Sequence, residues 1–385
     1  MSRAFDLLPD RRDTGSVKWD VKENELPMWG ADMDYKAAPA IIKALKSRVD
    51  SGVFGYFDLT DEWYEAYISF LKERHGIAVP KKALVFVTGI VPAISSAVRK
   101  LTTPGENVVI MTPVYNIFFN SILNNGRNVI EVPLLHNGSD WDVDWKAFEK
   151  AVKDRQTTLF ILCDPHNPTG RIWTKDELNK IGELCKKHNV KVVSDEIHCD
   201  VITPGKEYVP FASVSDVCRE ISVSCVSPTK AFNIAGIQTA AVYSFNEDLR
   251  HKMWRQINTD ECGEPNAFAV NAAVAALRDS RGWLEEMNGY VYQNKLFAKE
   301  FIENNVPRIK YDVADATYLA WMDISEVEKN SERFCKKLRK ETGLFITPGS
   351  VYGKGGEGFV RVNLATSRAN VEDGLCRLGK FVCRG

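Results

Sequence analysis

No apolar run in this sequence is long enough to cross a bilayer. Residues Met1 to Asp20 are charged and carry no apolar signal core, so a cytoplasmic location is the expectation. Neither charge is in excess. Lys plus Arg number 50 and Asp plus Glu 51, for a formal net charge of -1, which gives no hold for nucleic acid or an anionic membrane surface. There is no Cys-x-x-Cys pair and no Cys/His cluster at metal-ligand spacing. The 9 cysteines are scattered and odd in number, which points to reduced, packed thiols and to no metal. Internal repeats, low-complexity segments and an appended helix-turn-helix are also missing.

What is present is an enzyme-sized chain. Its 385 residues are 44% hydrophobic and 26% charged, enough for a large core and two domains. Residues 1 to about 35 read as an extended arm, with an apolar but proline-broken stretch from Leu26 to Asp34. Helical periodicity begins at Pro39, with Ile41, Ile42, Leu45 and Val49 on one face, and resumes from Asp61 to His75. Short β-branched runs then alternate with helices: Leu84–Val87, Val108–Met111, Asn128–Val132, Thr158–Cys163, Val190–Val193 and Ile221–Cys225. Continuous apolar strands of this kind are covered on both faces, and the alternation predicts a mostly parallel sheet between helical layers. After Arg281 a long helix leads into an α+β tail. The predicted division is an arm at 1–45 contributing to a small domain, a large domain at 46–282, and the small C-terminal domain at 283–385.

Ligands of such sheets bind beyond the carboxyl ends of the strands. Gly89, Tyr115, Asn167, Asp195 and Lys230 all fall just after predicted strands. Lys230 lies in Ser227-Pro228-Thr229-Lys230-Ala231-Phe232-Asn233, between two strand-like runs. A lysine there is either a surface residue on a loop or a desolvated amine made nucleophilic by burial, able to form a Schiff base with pyridoxal phosphate. Thr88-Gly89-Ile90-Val91-Pro92 is either an ordinary strand-to-helix turn or a helix N-terminus that holds an anion.

A further set of motifs carries a resemblance. Leu26-Pro27-Met28-Trp29, Ala31-Asp32-Met33-Asp34, Gly55-Tyr56, Pro165-His166-Asn167-Pro168, Gly170-Arg171, Ser194-Asp195-Glu196-Ile197-His198, Ser227 to Asn233, and Phe359-Val360-Arg361-Val362-Asn363 occur in that order. Together they resemble the fold-type-I pyridoxal-phosphate enzymes of the class I/II aminotransferase superfamily, and more closely the MalY/PatB-type cystathionine β-lyases. The resemblance covers nearly the whole chain. It implies a seven-stranded, mostly parallel α/β large domain with a smaller α+β domain, and a homodimer acting on a small amino acid. It implies that Lys230 bonds the cofactor and acts as acid and base, and that Asp195 pairs with the ring nitrogen. Asn167 and His198 would meet the 3′ oxygen, and Tyr115 would stack on the ring. Gly89, Ile90, Val91 and Ser227 would cradle the phosphate, which Tyr56 would reach from the neighbouring subunit. Arg361 would clamp the substrate carboxylate. His198 and Gln238 depart from the common transaminase pattern of tyrosine and arginine. The implied reaction is carbon–sulfur β-elimination, with transamination as the alternative. A degenerate, regulatory binding protein is a third reading, opposed by the presence of lysine, aspartate and arginine together.

Overall fold

The computed structural model describes residues 3–138 and 140–383. Its main sheet has seven strands: β1 (Leu84–Val87), β2 (Asn107–Thr112), β3 (Asn128–Pro133), β4 (Thr157–Cys163), β5 (Lys191–Asp195), β6 (Ser222–Val226) and β7 (Ala240–Tyr243). Their order across the sheet is β1-β7-β6-β5-β4-β2-β3. Neighbouring strands are parallel except for β7, which runs against both β1 and β6. The predicted sheet is therefore present, with one strand reversed.

The strands are buried on both faces because their alternate side chains serve two cores. Val108, Ile110, Leu159 and Ile161 pack on one side with the helices Ile90–Leu101 and Glu247–Thr259. Val109, Met111, Phe160 and Leu162 pack on the other with Trp145–Lys153 and Lys175–Lys187. The last of these helices is fixed by a capping box. Thr174 accepts from the Glu177 backbone while the Glu177 side chain returns to the Thr174 N–H. Truncating a fully buried aromatic such as Phe160 to alanine costs about 3–5 kcal/mol. One expectation fails locally. In the helix Pro39–Asp50, Ile41 is buried but Val49 is exposed, because the packed stripe ends before the last turn.

A second, smaller sheet holds β8 (Leu319–Asp323), β9 (Thr347–Pro348) and β10 (Phe359–Asn363), with β10 central and antiparallel to both neighbours. The helix Arg281–Asn305 connects the two sheets along the chain. The N-terminal arm forms a separate two-stranded pair beside the small sheet. Leu26–Pro27 pairs with Leu344–Phe345, and Asn363 N–H donates to the Met28 carbonyl at 2.8 Å. Arg11 and Lys18 both reach the Asp34 carboxylate, at 3.0 and 2.9 Å. The arm is thus folded on itself and pinned to the strand that ends at Asn363.

Candidate active site

The parallel strands deliver their last residues to one edge. β4, β5 and β6 are adjacent, and Asp195 lies in register with Cys163 on one side and Cys225 on the other. Asn167 follows β4, Asp195 ends β5 and Lys230 follows β6, so three of the predicted residues share one rim. Tyr115 follows β2, the next strand along. Val87 and Val226 stand opposite successive residues of β7, which brings Gly89 and Ser227 to the same edge.

Lys230 is neither a surface loop residue nor an inert core residue. Its Nζ donates to the Ala31 carbonyl of the arm at 2.6 Å. Burial pulls its pKa down to about 8, against the pull of Asp32 and with a push from Arg361. Asn233, three residues on, adopts φ +55° and clamps the arm again. Its side chain accepts from Met33 N–H at 3.1 Å and donates to the Met33 and Tyr35 carbonyls at 3.0 and 2.7 Å.

Asp195 is 4% exposed. Burial between two thiol-bearing strands raises its pKa to about 7, opposed by the Ile197 N–H at 3.2 Å. A carboxylate in that position gains from a cationic partner. His198 is 3% exposed, its pKa is driven down to about 3 by burial, then by Lys230 and Arg361, and its Nδ1 has no hydrogen-bond partner. Tyr115 is a neutral phenol held up near pKa 12 by burial.

Arg361 enters from β10 and is 5% exposed. Nη1 donates to Asn167 Oδ1 at 3.2 Å and Nη2 to the Trp29 carbonyl at 3.0 Å, while Nε is buried without a partner. The guanidinium lies over the Tyr352 ring at 5.1 Å. A buried guanidinium with an unused N–H is costly on its own, and a carboxylate would match it.

At the opposite end, Gly89 caps the helix Ile90–Leu101. A Cβ at Gly89 would meet no protein atom nearer than Pro92 Cδ at 3.4 Å, so the approach to the helix N-terminus is open. The Ser227 hydroxyl bonds Thr229 Oγ1 at 2.7 Å and the Thr239 carbonyl at 2.8 Å. A phosphorylated pyridine aldehyde therefore fits the residues present. The donor set comprises a desolvated amine, a buried carboxylate, an orphaned imidazole nitrogen and an open helix N-terminus.

Tyr56 is not brought to this rim. It is 102% exposed on an irregular loop beside the exposed Val53 and Phe54. Gln238 is exposed as well, at φ +57°. Sequence reasoning did not single out Tyr318 and treated Asn363 only as part of a motif. Tyr318 OH donates to the Ala31 carbonyl at 2.7 Å, and Asn363 Nδ2 donates to the Gly30 and Asp32 carbonyls at 2.5 and 2.7 Å. A buried Asn in an apolar strand was the one available signal for the second; nothing local marks the first. Gly170, in the turn after β4, has φ +69°, and a Cβ there would strike Ala314 Cβ at 2.5 Å, which explains the glycine.

Residues 26–378 match the family model for class I and II aminotransferases. Cystathionine beta-lyase PatB of Bacillus subtilis (strain 168) is 41% identical over 97% of this chain and 98% of its own length. Protein MalY of Escherichia coli (strain K12) is 31% identical over 97% of each. Among solved structures, cystalysin of Treponema denticola, which contains pyridoxal 5′-phosphate, covers 100% of this chain and 99% of its own at 32% identity and TM-score 0.96. The PLP-bound C-S lyase of Staphylococcus hominis covers 99% of this chain and 98% of its own, at 31% identity and TM-score 0.93.

Proposed function

The chain belongs to the class I and II aminotransferase family, and from that footing we propose that it is a pyridoxal-phosphate-dependent carbon–sulfur β-lyase. It would split cystathionine, cysteine or a related cysteine S-conjugate into a thiol or sulfide, pyruvate and ammonia. The observation that carries this reading is the meeting of Lys230, Asp195 and Arg361 at one buried rim, each in a state that a partner would relieve. The choice of lyase over transaminase is supported by the names of the relatives, PatB and the Staphylococcus hominis enzyme among them.

When bound, the cofactor supplies a sink for the electron pair left by loss of the substrate's α-proton. Lys230 would hold the cofactor and, once released, move the proton at the substrate's α-carbon, a task its depressed pKa suits. Asp195 would keep a proton on the ring nitrogen. Asn167 and His198 would meet the 3′ oxygen, and Tyr115 would orient the ring. Gly89, Ile90, Val91 and Ser227 would hold the phosphate. Arg361 would bind the substrate carboxylate with Nε and a neighbouring N–H. The overall outcome would be loss of the thiolate from the β-carbon and, with one water consumed, release of pyruvate and ammonia.

The reading extends to a homodimer in which Tyr56 of one subunit serves the phosphate of the other. It is supported by the exposure of Val53, Phe54 and Tyr56 together. A cytoplasmic location is supported by nine free thiols. No helix among the described residues is long and apolar enough to cross a membrane. The test is to supply cystathionine with no 2-oxo acid present. Continuous release of thiol and pyruvate is expected, whereas a single half-turnover would indicate a transaminase.

A further inference from the structure

Two donors share one acceptor at the heart of the site. The Ala31 carbonyl receives Lys230 Nζ at 2.6 Å and Tyr318 OH at 2.7 Å. Tyr318 immediately precedes β8 and is fully buried, with its ring edge-on to His198 at 6.2 Å. The carbonyl itself cannot swing. Asn363 holds the carbonyls of Gly30 and Asp32 on either side, Arg361 and Thr347 hold that of Trp29, and Asn233 holds both N–H and C=O of Met33. An acceptor this firmly aimed acts as a fixed docking point for whatever donates to it.

We propose that Tyr318 is a positioning residue for Lys230: with the Ala31 carbonyl it forms the mooring to which the lysine amine returns whenever it is not bonded to the cofactor. The assignment rests on the reading of Lys230 as the base of the reaction. Two effects follow from the geometry. The amine is held with one N–H on the carbonyl, which leaves its lone pair free for the substrate's α-proton. The phenol also occupies part of the carbonyl's accepting capacity and fills the space where water would otherwise solvate an ammonium. The first effect aims the amine, and the second favours its neutral form, which the reaction needs. The charged and titratable groups facing Lys230 are Asp32 on the arm, Arg361 on β10, and Asp195 and His198 at and after the end of β5. All of them remain when only the phenol oxygen of Tyr318 is removed.

The test is Tyr318→Phe. In cofactor-free protein, competitive acetylation of Lys230 across a pH series reads the amine's protonation midpoint without turnover. The expected result is a rise of about one pH unit, a tenfold gain in proton affinity. In the complete enzyme, kcat with cystathionine should fall about tenfold at neutral pH, its acid limb should move upward, and KM should stay within about twofold. An unchanged labelling midpoint in Tyr318→Phe protein that melts like the parent overturns the proposal. Should Tyr318→Phe not fold, ring-fluorinated tyrosine at 318 keeps the shape and strengthens the donor. It should lower the midpoint, and an unmoved midpoint again overturns the proposal. If Lys230 were not the base, the kcat response would vanish while the labelling response remained, so the two readings fail separately.

Discussion

The two walls of this site present different chemistry. The edge of the main sheet presents side chains: Asn167, Asp195, His198 and Lys230, all on strand ends or the turns that follow. The arm presents backbone: the carbonyls of Trp29, Gly30, Ala31, Asp32 and Met33 each receive a side chain from elsewhere in the fold. The contrast separates chemistry from placement. A residue on the sheet edge can be deleted with its function. A carbonyl of the arm can be disturbed only through whatever holds it, so arm variants should act on stability and alignment and leave the chemical groups intact.

The largest effect should come from the sheet side. Lys230→Ala should lower thiol release from cystathionine by on the order of 10⁴-fold while the protein still melts cooperatively, because the proposed base is lost and the fold is not. Retention of more than a few percent of activity would erase the distinction between the walls. Arg361→Ala should cost about 100-fold in kcat/KM, expressed mainly in KM, and Arg361→Lys should recover little of it because a single ammonium cannot replace a planar fork.

Asp195 offers a test through pH. Its folded pKa of about 7 lies above the ordinary carboxyl value of 3.8. In cofactor-free protein its contribution is therefore full below the unfolded value and is lost as pH rises through about 7. Relative to Asp195→Asn, the cofactor-free parent should lose about 4 kcal/mol between pH 4 and pH 8 in denaturant titrations. A flat difference between the two proteins would show that the carboxylate is already compensated.

On the arm side, Asn363→Ala removes the donor to two carbonyls and leaves its own partners unpaired. About 2 kcal/mol of stability should be lost in urea titration, with borohydride still fixing the added cofactor on Lys230. Arg11→Ala should do least. Arg11 is about one-quarter exposed and Asp34 keeps Lys18, so a loss below about 1 kcal/mol and an activity change within about twofold are expected. A larger penalty there would mean that the arm controls chemistry directly.

Most of the sheet wall was legible in the primary structure. Strands such as Leu84–Val87 and Phe359–Asn363 announce themselves as short β-branched runs, and candidate site residues fall one to four positions beyond several of them. The reversed direction of β7 was not legible, because strand polarity depends on the connection and leaves no mark in a four-residue apolar run such as Ala240–Tyr243. Tyr318 was invisible for a similar reason. A tyrosine before an apolar strand looks like core, and only its partner shows otherwise.

What the sequence alone determined is everything with a short period: the α/β alternation, the strand ends that carry Asn167, Asp195 and Lys230, and the motif order that points to the family. What tertiary structure decided is which distant backbone those side chains meet. Lys230 finds its acceptor 199 residues away at Ala31, and Arg361 finds Trp29 at a separation of 332. Apolar periodicity acts between neighbours along one element, whereas a carbonyl is the same in every residue. Only the folded chain selects which of them faces an amine.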